Sequence, residues 1–557
     1  MNNVNVAKRH VQYKKSTLII LAAVLGGCSL MPNYERPSAP IPVAWPDSVK
    51  LKATTGLTLA DWQHYFPDPR LQALIAAALE NNRDLRIATA RIAEARAQYG
   101  IQRADRLPNL NLAAGRNASR IPAGVSYPGS PQMNIQQYNV GVNLLSYELD
   151  FWGRVSSLNA AAKASYLATE SAQRAFRLSL IADVADAYLS LLEMRERAQL
   201  ADATVKARAE TRELVTRRRE SGVSNDSDWL QEEGSYQAAA AELANLEQQQ
   251  AAAENLLNLL LGQSMAEMKD LPAGRSLAEQ GISSDLFAGL PAEVLLRRPD
   301  VLAAEQQLIA ANANIGAARA AFLPRISLTG SVGTASPSLS GLFATGSGAW
   351  SFQPSIILPL FDAGRNSANL DLAKARKVIA VAEYEKTIQQ AFREVADLLS
   401  ARDKLAEQLA AQQANAEAQN HLLRLAEARY QAGIVSHLEV LDAQRQDFAA
   451  EQGAIQVRRA WFSAATQLYK ALAGESNDSA DRTTQDIASR RETFDGTTGE
   501  TTSHLTNPAS EKLLDGHPKD AGQVIGYSHS TRLSAEELLA GHPKDDNQVD
   551  GYVRAPE

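Results

Sequence analysis

The chain has 557 residues, of which 45% are hydrophobic and only 6% aromatic, and its formal net charge is -7 at pH 7. Few aromatic residues and long alanine-rich stretches without Gly or Pro favour extended helices over the compact core of a globular enzyme. The negative charge, together with the lack of a basic stripe interleaved with aromatic residues, argues against a nucleic-acid partner.

The N-terminus carries the features of a secretory signal. Four basic residues precede an apolar run over 18–25, which is too short to span a bilayer as a helix. Cys28 follows shortly after this run and is the single cysteine of the chain. Because a lone exported thiol cannot form an internal disulfide, the sequence favours a covalent role for Cys28 over an incidental cysteine in a discarded signal.

Leu25-Gly26-Gly27-Cys28 resembles the bacterial lipoprotein box, in which the cysteine is acylated and becomes the first residue of the mature chain. The resemblance implies a signal peptide over 1–27, a covalent lipid on Cys28 and no other cofactor. Ser29 follows the cysteine, and a residue other than Asp there favours export to the outer membrane. Acyl chains contribute about 0.8 kcal/mol per buried methylene, so such an anchor needs no transmembrane helix.

The main part of the chain reads as a duplication. Asp84, Gly100 and Pro108 recur with the same spacing as Asp300, Gly316 and Pro324, and later motifs recur at a slightly shorter interval. This pattern predicts two similar units over 70–290 and 291–474, each with a helix, two strands, a long helix and a shorter helix.

The first unit shows these elements most clearly. A helix is predicted over Arg70–Leu107, broken only by Gly100, and alternating apolar residues predict strands over 109–118 and 138–147. The second unit is predicted to repeat the strand pair around a loop at 335–348.

Long helices are predicted to follow each strand pair. Arg154–Ser221 and Arg365–Ala432 lack Gly and Pro, and each is long enough to extend roughly 100 Å at 1.5 Å per residue. Apolar residues between Leu180 and Val205 keep the four-three spacing of a coiled-coil seam. Shorter helices over 226–261 and 437–473 complete the units.

Four strands are too few to close a barrel in a membrane, because lipid tolerates no open sheet edge and small barrels need about eight strands. If the strands span a membrane, several protomers must share one barrel, which the long helices would continue as a tube. A hollow oligomer satisfies both requirements. The alternative is a structural coiled-coil outer-membrane lipoprotein without a pore, which would form a solid bundle and would not need two strand pairs.

Several motifs, taken in order, resemble the outer membrane factors of tripartite efflux systems. These are the TolC-like channels, and the likeness is strongest to the lipoprotein branch that serves resistance-nodulation-division (RND) pumps. The motifs are Met31-Pro32-Asn33-Tyr34-Glu35-Arg36-Pro37, Asp61-Trp62 with Asp68-Pro69-Arg70-Leu71, Glu148 through Arg154, Leu296-Arg297-Arg298-Pro299-Asp300-Val301 and Gly433 through Gln444. The likeness spans about residues 28–474.

This resemblance implies a mixed α/β membrane channel. A homotrimer would form a twelve-stranded β-barrel, four strands per protomer, continued by a twelve-helix periplasmic α-barrel, with the acylated segment 28–69 on the equatorial region. The implied partners are a periplasmic adaptor (membrane fusion protein), an inner-membrane RND-type transporter and outer-membrane lipid. The protein would be lipid-anchored in the outer membrane of a Gram-negative bacterium.

The function that the resemblance implies is passive conduction of drugs, toxic small molecules or metals. No zinc-protease, phosphate-loop or nucleophile-elbow motif is present, and eight scattered histidines form no metal-ligand pattern. The sequence therefore predicts neither an enzyme nor a metal site.

Turns at Gly222 and Gly433 are predicted to form the periplasmic tip. Glu439 and Asp442 follow the second turn on one helical face, and the resemblance implies a ring of carboxylates there that selects cations. Asp228 is the counterpart in the first unit. The alternative is that these are ordinary exposed charges in the first turn of a helix.

A second set of residues marks the change from strand to long helix. Gly153 and Gly364 are predicted to permit the bend there, and Asp150 is predicted to pair with Arg154. Arg365 holds the position of Arg154 in the second unit. Arg297-Arg298-Pro299-Asp300 is interpreted as the start of a helix and not as an anion site.

The character of the chain changes after Gly474. Residues 475–557 are rich in Asp, Thr, Ser, Gly and Pro, which predicts a disordered C-terminal extension. A short repeat lies inside it, since Gly516-His517-Pro518-Lys519-Asp520 returns as Gly541-His542-Pro543-Lys544-Asp545. A twice-used periplasmic interaction motif is the hypothesis, and a solvated tail is the alternative.

Overall fold

The structure of the protein is a computed structural model that describes residues 29–42, 45, 61–125, 127–282 and 292–472. The predicted signal peptide, the predicted acylation site Cys28 and the predicted C-terminal extension 475–557 lie outside the described residues. All described residues belong to one compact unit.

Helices and strands alternate in the same order twice along the described chain. They are α1 Trp62–Tyr65, α2 Pro69–Asn81, α3 Arg83–Ala104, β1 Leu110–Ile121, β2 Met133–Leu149, α4 Arg154–Glu220, α5 Asp226–Leu261, α6 Pro299–Ala320, β3 Arg325–Ser336, β4 Gly348–Ile357, α7 Arg365–Gln431 and α8 His437–Leu472. The two long helices, α4 and α7, begin at the residues where the sequence predicts them to begin. No helix among the described residues is both long and apolar enough to cross a membrane.

The first helical segment differs from the prediction of one helix over Arg70–Leu107 broken only by Gly100. Asn82 divides it, because the Asn82 side-chain oxygen accepts a hydrogen bond from the Leu85 backbone N–H at 2.9 Å and so caps α3. The Asn82 amide also donates to the Leu260 carbonyl at 2.8 Å. Gly100 lies inside α3 and does not interrupt the helix.

The four strands form one antiparallel sheet in the order β1-β2-β3-β4, so β1 and β4 are its edges. β2 is longer than the predicted 138–147, since it runs from Met133 to Leu149. Its register shifts between Leu144 and Tyr147, where Ser146 takes a positive φ of 50°. This bulge adds curvature near the end of the sheet that adjoins the helices.

The two faces of the sheet differ sharply in chemistry. One face is apolar through most of its height and carries Leu110, Leu112, Val140, Val142, Leu144, Leu328, Val332, Trp350, Phe352 and Ile356. The opposite face carries small and polar residues, among them Asn111, Gly115, Asn139, Gly141, Asn143, Ser331, Gly333 and Ser351. Leu112 is 77% exposed and Trp350 78% exposed, so no described part of the protomer covers the apolar face.

The main hydrophobic core lies around the middle of the long helices. α2 inserts Leu71, Leu74 and Ile75, all fully buried, beside the buried middle of α4. The hydroxyl of Tyr65 donates to the Ala465 carbonyl of α8 at 2.7 Å. Short segments before α2 and after α5 complete this core, which holds the helix pairs together at one level of the protein.

The helices pack as two long hairpins, α4 with α5 and α7 with α8, and α4 also contacts α8. Nearer the sheet, α6 packs between α4 and α7, while α3 packs chiefly on α4. The N-terminal segment 29–42 lies along α6. There the Arg36 guanidinium forms a two-fold hydrogen bond with the Glu305 carboxylate, with both N···O distances 2.7 Å.

Candidate functional site

The two hairpin turns farthest from the sheet have the same backbone geometry. Gly222 and Gly433 adopt left-handed φ values of 75° and 71°. In each turn the glycine N–H and the next N–H bond to carbonyls of the preceding helical turn, as Val223 does to Arg218 at 2.8 Å. This capping arrangement ends a helix sharply and suits glycine, which has no Cβ to oppose positive φ.

The three predicted gate carboxylates lie next to these turns and remain accessible. Glu439 accepts a hydrogen bond from the Arg429 guanidinium at 2.9 Å, and Asp442 accepts one from Arg445 at 2.6 Å. The Glu439 and Asp442 side chains are 47% and 53% exposed. Glu439 and Asp442 therefore each have an arginine beside them within the same hairpin.

Asp228 has a different environment from the other two carboxylates. Its carboxylate accepts a hydrogen bond from the Ser224 hydroxyl at 3.2 Å, and its backbone N–H donates to the Asn225 side chain at 2.8 Å. Among the described residues, no hydrogen bond or ion pair joins Asp228 to Glu439 or Asp442. The structure thus brings Glu439 and Asp442 together on one helix and leaves Asp228 on the other hairpin.

Two contacts between the hairpins were not anticipated from the sequence. The Arg218 guanidinium donates to the Tyr430 hydroxyl at 3.1 Å. His437 forms a close hydrogen bond with Glu232, whose side chain is only 1% exposed. The one available signal was that His437 begins the helix after a tip turn; nothing in the spacing identified Glu232 as its partner.

Arg208 is another buried polar residue near the same end. It is 7% exposed and donates to the Ser235 carbonyl at 3.2 Å. Burial lowers the pKa of the Arg208 guanidinium, and the charge of Glu232 opposes this lowering only in part. The Arg208 contact joins α4 to α5 within one hairpin, whereas the His437–Glu232 pair joins the two hairpins, and separating them would leave buried polar atoms without partners.

The junction between the sheet and the long helices refines one prediction. The Asp150 charge lies near Arg154, but no hydrogen bond joins the two side chains among the described residues. The Asp150 carboxylate instead accepts the N–H groups of Val155 at 3.0 Å and Ser156 at 2.7 Å, because the first N–H groups of a helix have no intrahelical partner. Arg154 forms a two-fold hydrogen bond with Glu148, at 2.7 Å for both pairs of atoms.

The Glu148 carboxylate also pairs with the Arg325 guanidinium of β3 at 2.6 Å, so two arginines share one carboxylate that is 10% exposed. At the matching place in the second half, Asp362 accepts the N–H groups of Gly364 at 3.0 Å and Asn366 at 2.9 Å. Gly153 and Gly364 both have positive φ, at 68° and 84°, immediately before the long helices. Arg365, the first residue of α7, is exposed.

Arg298 occupies a structural position in the core. It is 8% exposed, pairs with Asp300 at 2.8 Å and Glu394 at 2.9 Å, and donates to the Ala471 carbonyl at 2.9 Å. Burial lowers the pKa of its guanidinium, but the two carboxylates outweigh that effect and raise it overall. Within the described ranges there is no cluster of three or more His, Cys, Asp or Glu suited to a metal ion.

Comparison with known proteins identifies relatives along most of the chain. The family described as "Outer membrane efflux protein" matches residues 74–263 and 290–474. Outer membrane protein OprJ of Pseudomonas aeruginosa is 45% identical over 456 residues, which cover 82% of this chain and 95% of OprJ. The solvent efflux pump outer membrane protein SrpC of Pseudomonas putida is 43% identical over 465 residues, covering 83% of this chain and 98% of SrpC.

Solved structures share the fold. The open state of the MtrE outer membrane channel of Neisseria gonorrhoeae has 39% identity and a TM-score of 0.72, covering 80% of this chain and 98% of MtrE. The CmeC outer membrane channel of Campylobacter jejuni has 25% identity and a TM-score of 0.75, covering 82% of this chain and 98% of CmeC.

Proposed function

The chain belongs to the outer membrane efflux protein family and serves as an outer-membrane exit duct of an efflux system, and from this premise we propose that three copies form one continuous channel. Each protomer would contribute four strands to a shared barrel and four helices to a tube. The duplicated order of elements supports this, since each unit supplies one strand pair and one hairpin. The proposed duct is passive and is not an enzyme.

The observation that carries the closed oligomer is the pair of open edges, and the number of three copies comes from the family resemblance. β1 and β4 each have one strand partner, and open sheet edges are not tolerated in lipid. The apolar residues exposed on the flanking helices include Ile87 at 50% and Ile101 at 70% on α3, with Val378 at 69% on α7. A neighbouring copy that pairs β1 with β4 would bring α3 against α7 and cover both.

The N-terminal segment supports the proposed lipid anchor on Cys28. The Leu30 carbonyl accepts a hydrogen bond from Arg319 in the last turn of α6 at 3.3 Å, close to where β3 begins at Arg325. The described chain therefore starts at the level where the helices meet the sheet. Cys28 directly precedes this described segment, and the mass of the purified protein would reveal an acyl group on it; Cys28→Ser is expected to lack that mass.

The proposed partners lie on the helical side. We expect a periplasmic adaptor to bind at the hairpin tips and an inner-membrane RND-type transporter to supply the energy and select the cargo. Relatives named for solvent, toluene and antibiotic efflux share 43%, 43% and 42% identity with this chain. Similar ducts serving such different compounds are what upstream selection of cargo would produce.

The test of the duct is single-particle imaging of the detergent-solubilised protein combined with single-channel recording in a planar bilayer. A hollow threefold particle that conducts ions is the expected result. A solid bundle or a non-conducting monomer would refute the channel and favour the coiled-coil lipoprotein without a pore.

The proposed gate is a ring of Glu439 and Asp442 from three protomers, with Asp228 on the adjoining hairpins. Carboxylates around a narrow entrance favour cations. Glu439→Ala with Asp442→Ala is expected to reduce the ratio of cation to anion permeability and to raise the resting conductance. Because Arg429 and Arg445 would lose their partners, Glu439→Gln with Asp442→Asn serves as the gentler variant; unaltered selectivity in both variants would rule out the ring.

A further inference from the structure

The apolar face of the sheet ends at a pair of arginines. β1 begins at the helical junction and runs away from it, so its last residues lie at the end of the sheet opposite the helices. Leu110, Leu112, Ala114, Arg116 and Arg120 project from the same face because side chains alternate along a strand and the β1–β2 register is unbroken. The arginines therefore continue the apolar face at its outer end.

Both arginines are exposed, and among the described residues neither has an acidic partner. The Arg116 guanidinium donates to the Gln136 side-chain oxygen at 3.2 Å, and Arg120 donates to Gln132 at 2.6 Å. Both acceptors are neutral amides. The sequence has no Asp or Glu over 107–147 or 326–361, so the strand pairs and the loops that join them contain no acidic residue except Glu148, which lies at the helical end of β2, far from both arginines.

Tyr138 marks the border between the apolar face and the arginines. It lies opposite Arg116 in the strand register, and the Arg116 guanidinium carbon is 5.6 Å from the centre of the Tyr138 ring. Tyrosine is enriched at the interface between lipid tails and headgroups, and the cost of placing arginine on a lipid-facing strand falls toward zero there. The location fits the headgroup level of the outer leaflet.

We propose that Arg116 and Arg120 form a binding surface for a phosphate-bearing lipid headgroup of the outer leaflet. The inference rests on the proposed barrel, in which this face points toward lipid. Guanidinium groups bind phosphate through paired N–H donors, and a fixed pair of them without acidic neighbours attracts an anionic headgroup more strongly than a zwitterionic one. Pairing of β1 with a neighbouring copy uses the strand backbone and leaves these side chains exposed.

The second strand pair does not repeat this surface. Thr334 and Ser336 of β3 are the residues of the same face that lie beyond Val332, and both are uncharged. Each protomer would therefore present one cationic surface, on the side of β1. In a trimer the lipid would bind close to the contact between two copies, where it would cover the newly formed strand pair.

The test uses the full-length protein in detergent with diphosphoryl lipid A as the probe, and native mass spectrometry counts the bound lipid. Arg116→Gln with Arg120→Gln is expected to weaken lipid A binding about tenfold or more, since each cation near an anionic lipid surface contributes an appreciable share of the attraction. Lipid A without its phosphates is expected to bind the wild type and the variant equally weakly.

The matched control removes two positive charges elsewhere. Arg393 and Lys404 on α7 have side chains that are 78% and 73% exposed, so Arg393→Gln with Lys404→Gln should leave lipid A binding unchanged. Equal lipid A binding by the wild type and the Arg116/Arg120 variant would overturn the proposal. Displacement of lipid A by millimolar inorganic phosphate would assign the surface to soluble anions and overturn it as well. Particle images of the same samples report separately whether the threefold channel itself forms.

Discussion

The helices α3 and α6 hold the same place in the two halves of the chain but have opposite surroundings. In α3 only Leu85 is buried, whereas α6 buries ten of its residues. α6 is covered on one side by α4, on another by α7 and on a third by the segment 29–42. α3 has α4 alone as its main neighbour. The two helices also differ in sequence, since α3 carries five arginines and α6 only Arg319, so composition and position in the protomer both follow the difference in burial.

The contrast identifies α3 as a surface that one protomer leaves uncovered. Ile87 and Ile101 of α3 are 50% and 70% exposed, and α3 leads directly into the open edge strand β1. The corresponding surface of α6 is already satisfied inside one chain. α3 is thus the surface that a second copy is expected to cover.

The largest expected effect comes from truncating the buried side of this comparison. Leu308 of α6 is 1% exposed, so Leu308→Ala should lower the free energy of unfolding by about 2–5 kcal/mol. Ile101→Ala on α3 is the matched control, and in dissociated protomers it should cost less than about 1 kcal/mol. Denaturant unfolding in detergent measures both. Equal losses in dissociated protomers would mean that α3 is not a free surface.

A smaller effect is expected from two glycines at equivalent positions. A Cβ added at Gly316 of α6 would lie 2.6 Å from the Ser157 hydroxyl oxygen and 2.8 Å from Met31 Cα, so the N-terminal segment would have to move. Gly316→Ala should therefore destabilise the protein by about 1–3 kcal/mol and increase hydrogen exchange over 29–42.

Gly100 of α3 is the control for that substitution. A Cβ there meets nothing within 4 Å in the protomer. Gly100→Ala should stabilise dissociated protomers by about 0.5–1 kcal/mol, because alanine loses less backbone entropy in a helix. A gain in dissociated protomers combined with weaker trimers would place Gly100 in the contact between copies. Destabilisation of the dissociated protomer would contradict the open position of α3.

Sequence patterns predicted the elements better than their surroundings. The starts of α4 and α7 follow from Gly153 and Gly364, and the strands from alternation, because these signals are local. The break at Asn82 was missed although its N-cap contact with Leu85 is local, whereas the bond from Asn82 to Leu260 joins residues that are distant in sequence. The hydrogen-bond partner of Arg154 was missed, because the helix N-terminus binds the Asp150 carboxylate and the arginine bonds to Glu148 instead.

The candidate gate shows the same limit. Motif resemblance located Glu439 and Asp442, but it did not reveal that Arg429 and Arg445 accompany them. Contacts between hairpins, such as His437 with Glu232, join residues far apart in the chain. No spacing rule relates such residues, since their proximity depends on how two hairpins pack.

The smallest expected effect concerns the N-terminal segment 29–42, which lies along α6. The Tyr34 hydroxyl donates to Glu305 at 3.0 Å, and burial, this hydrogen bond and the Glu305 charge raise the pKa of Tyr34. A raised pKa means that the contact is complete below the ordinary tyrosine pKa of about 10 and is lost as pH rises through the raised value. Hydrogen-exchange protection over 29–42, corrected for base-catalysed intrinsic exchange, should therefore show a step decrease at alkaline pH, and Tyr34→Phe should remove that step. Tyr99→Phe on α3 should leave the step in place. If it removes the step as Tyr34→Phe does, the pH dependence does not arise from the contact between Tyr34 and Glu305.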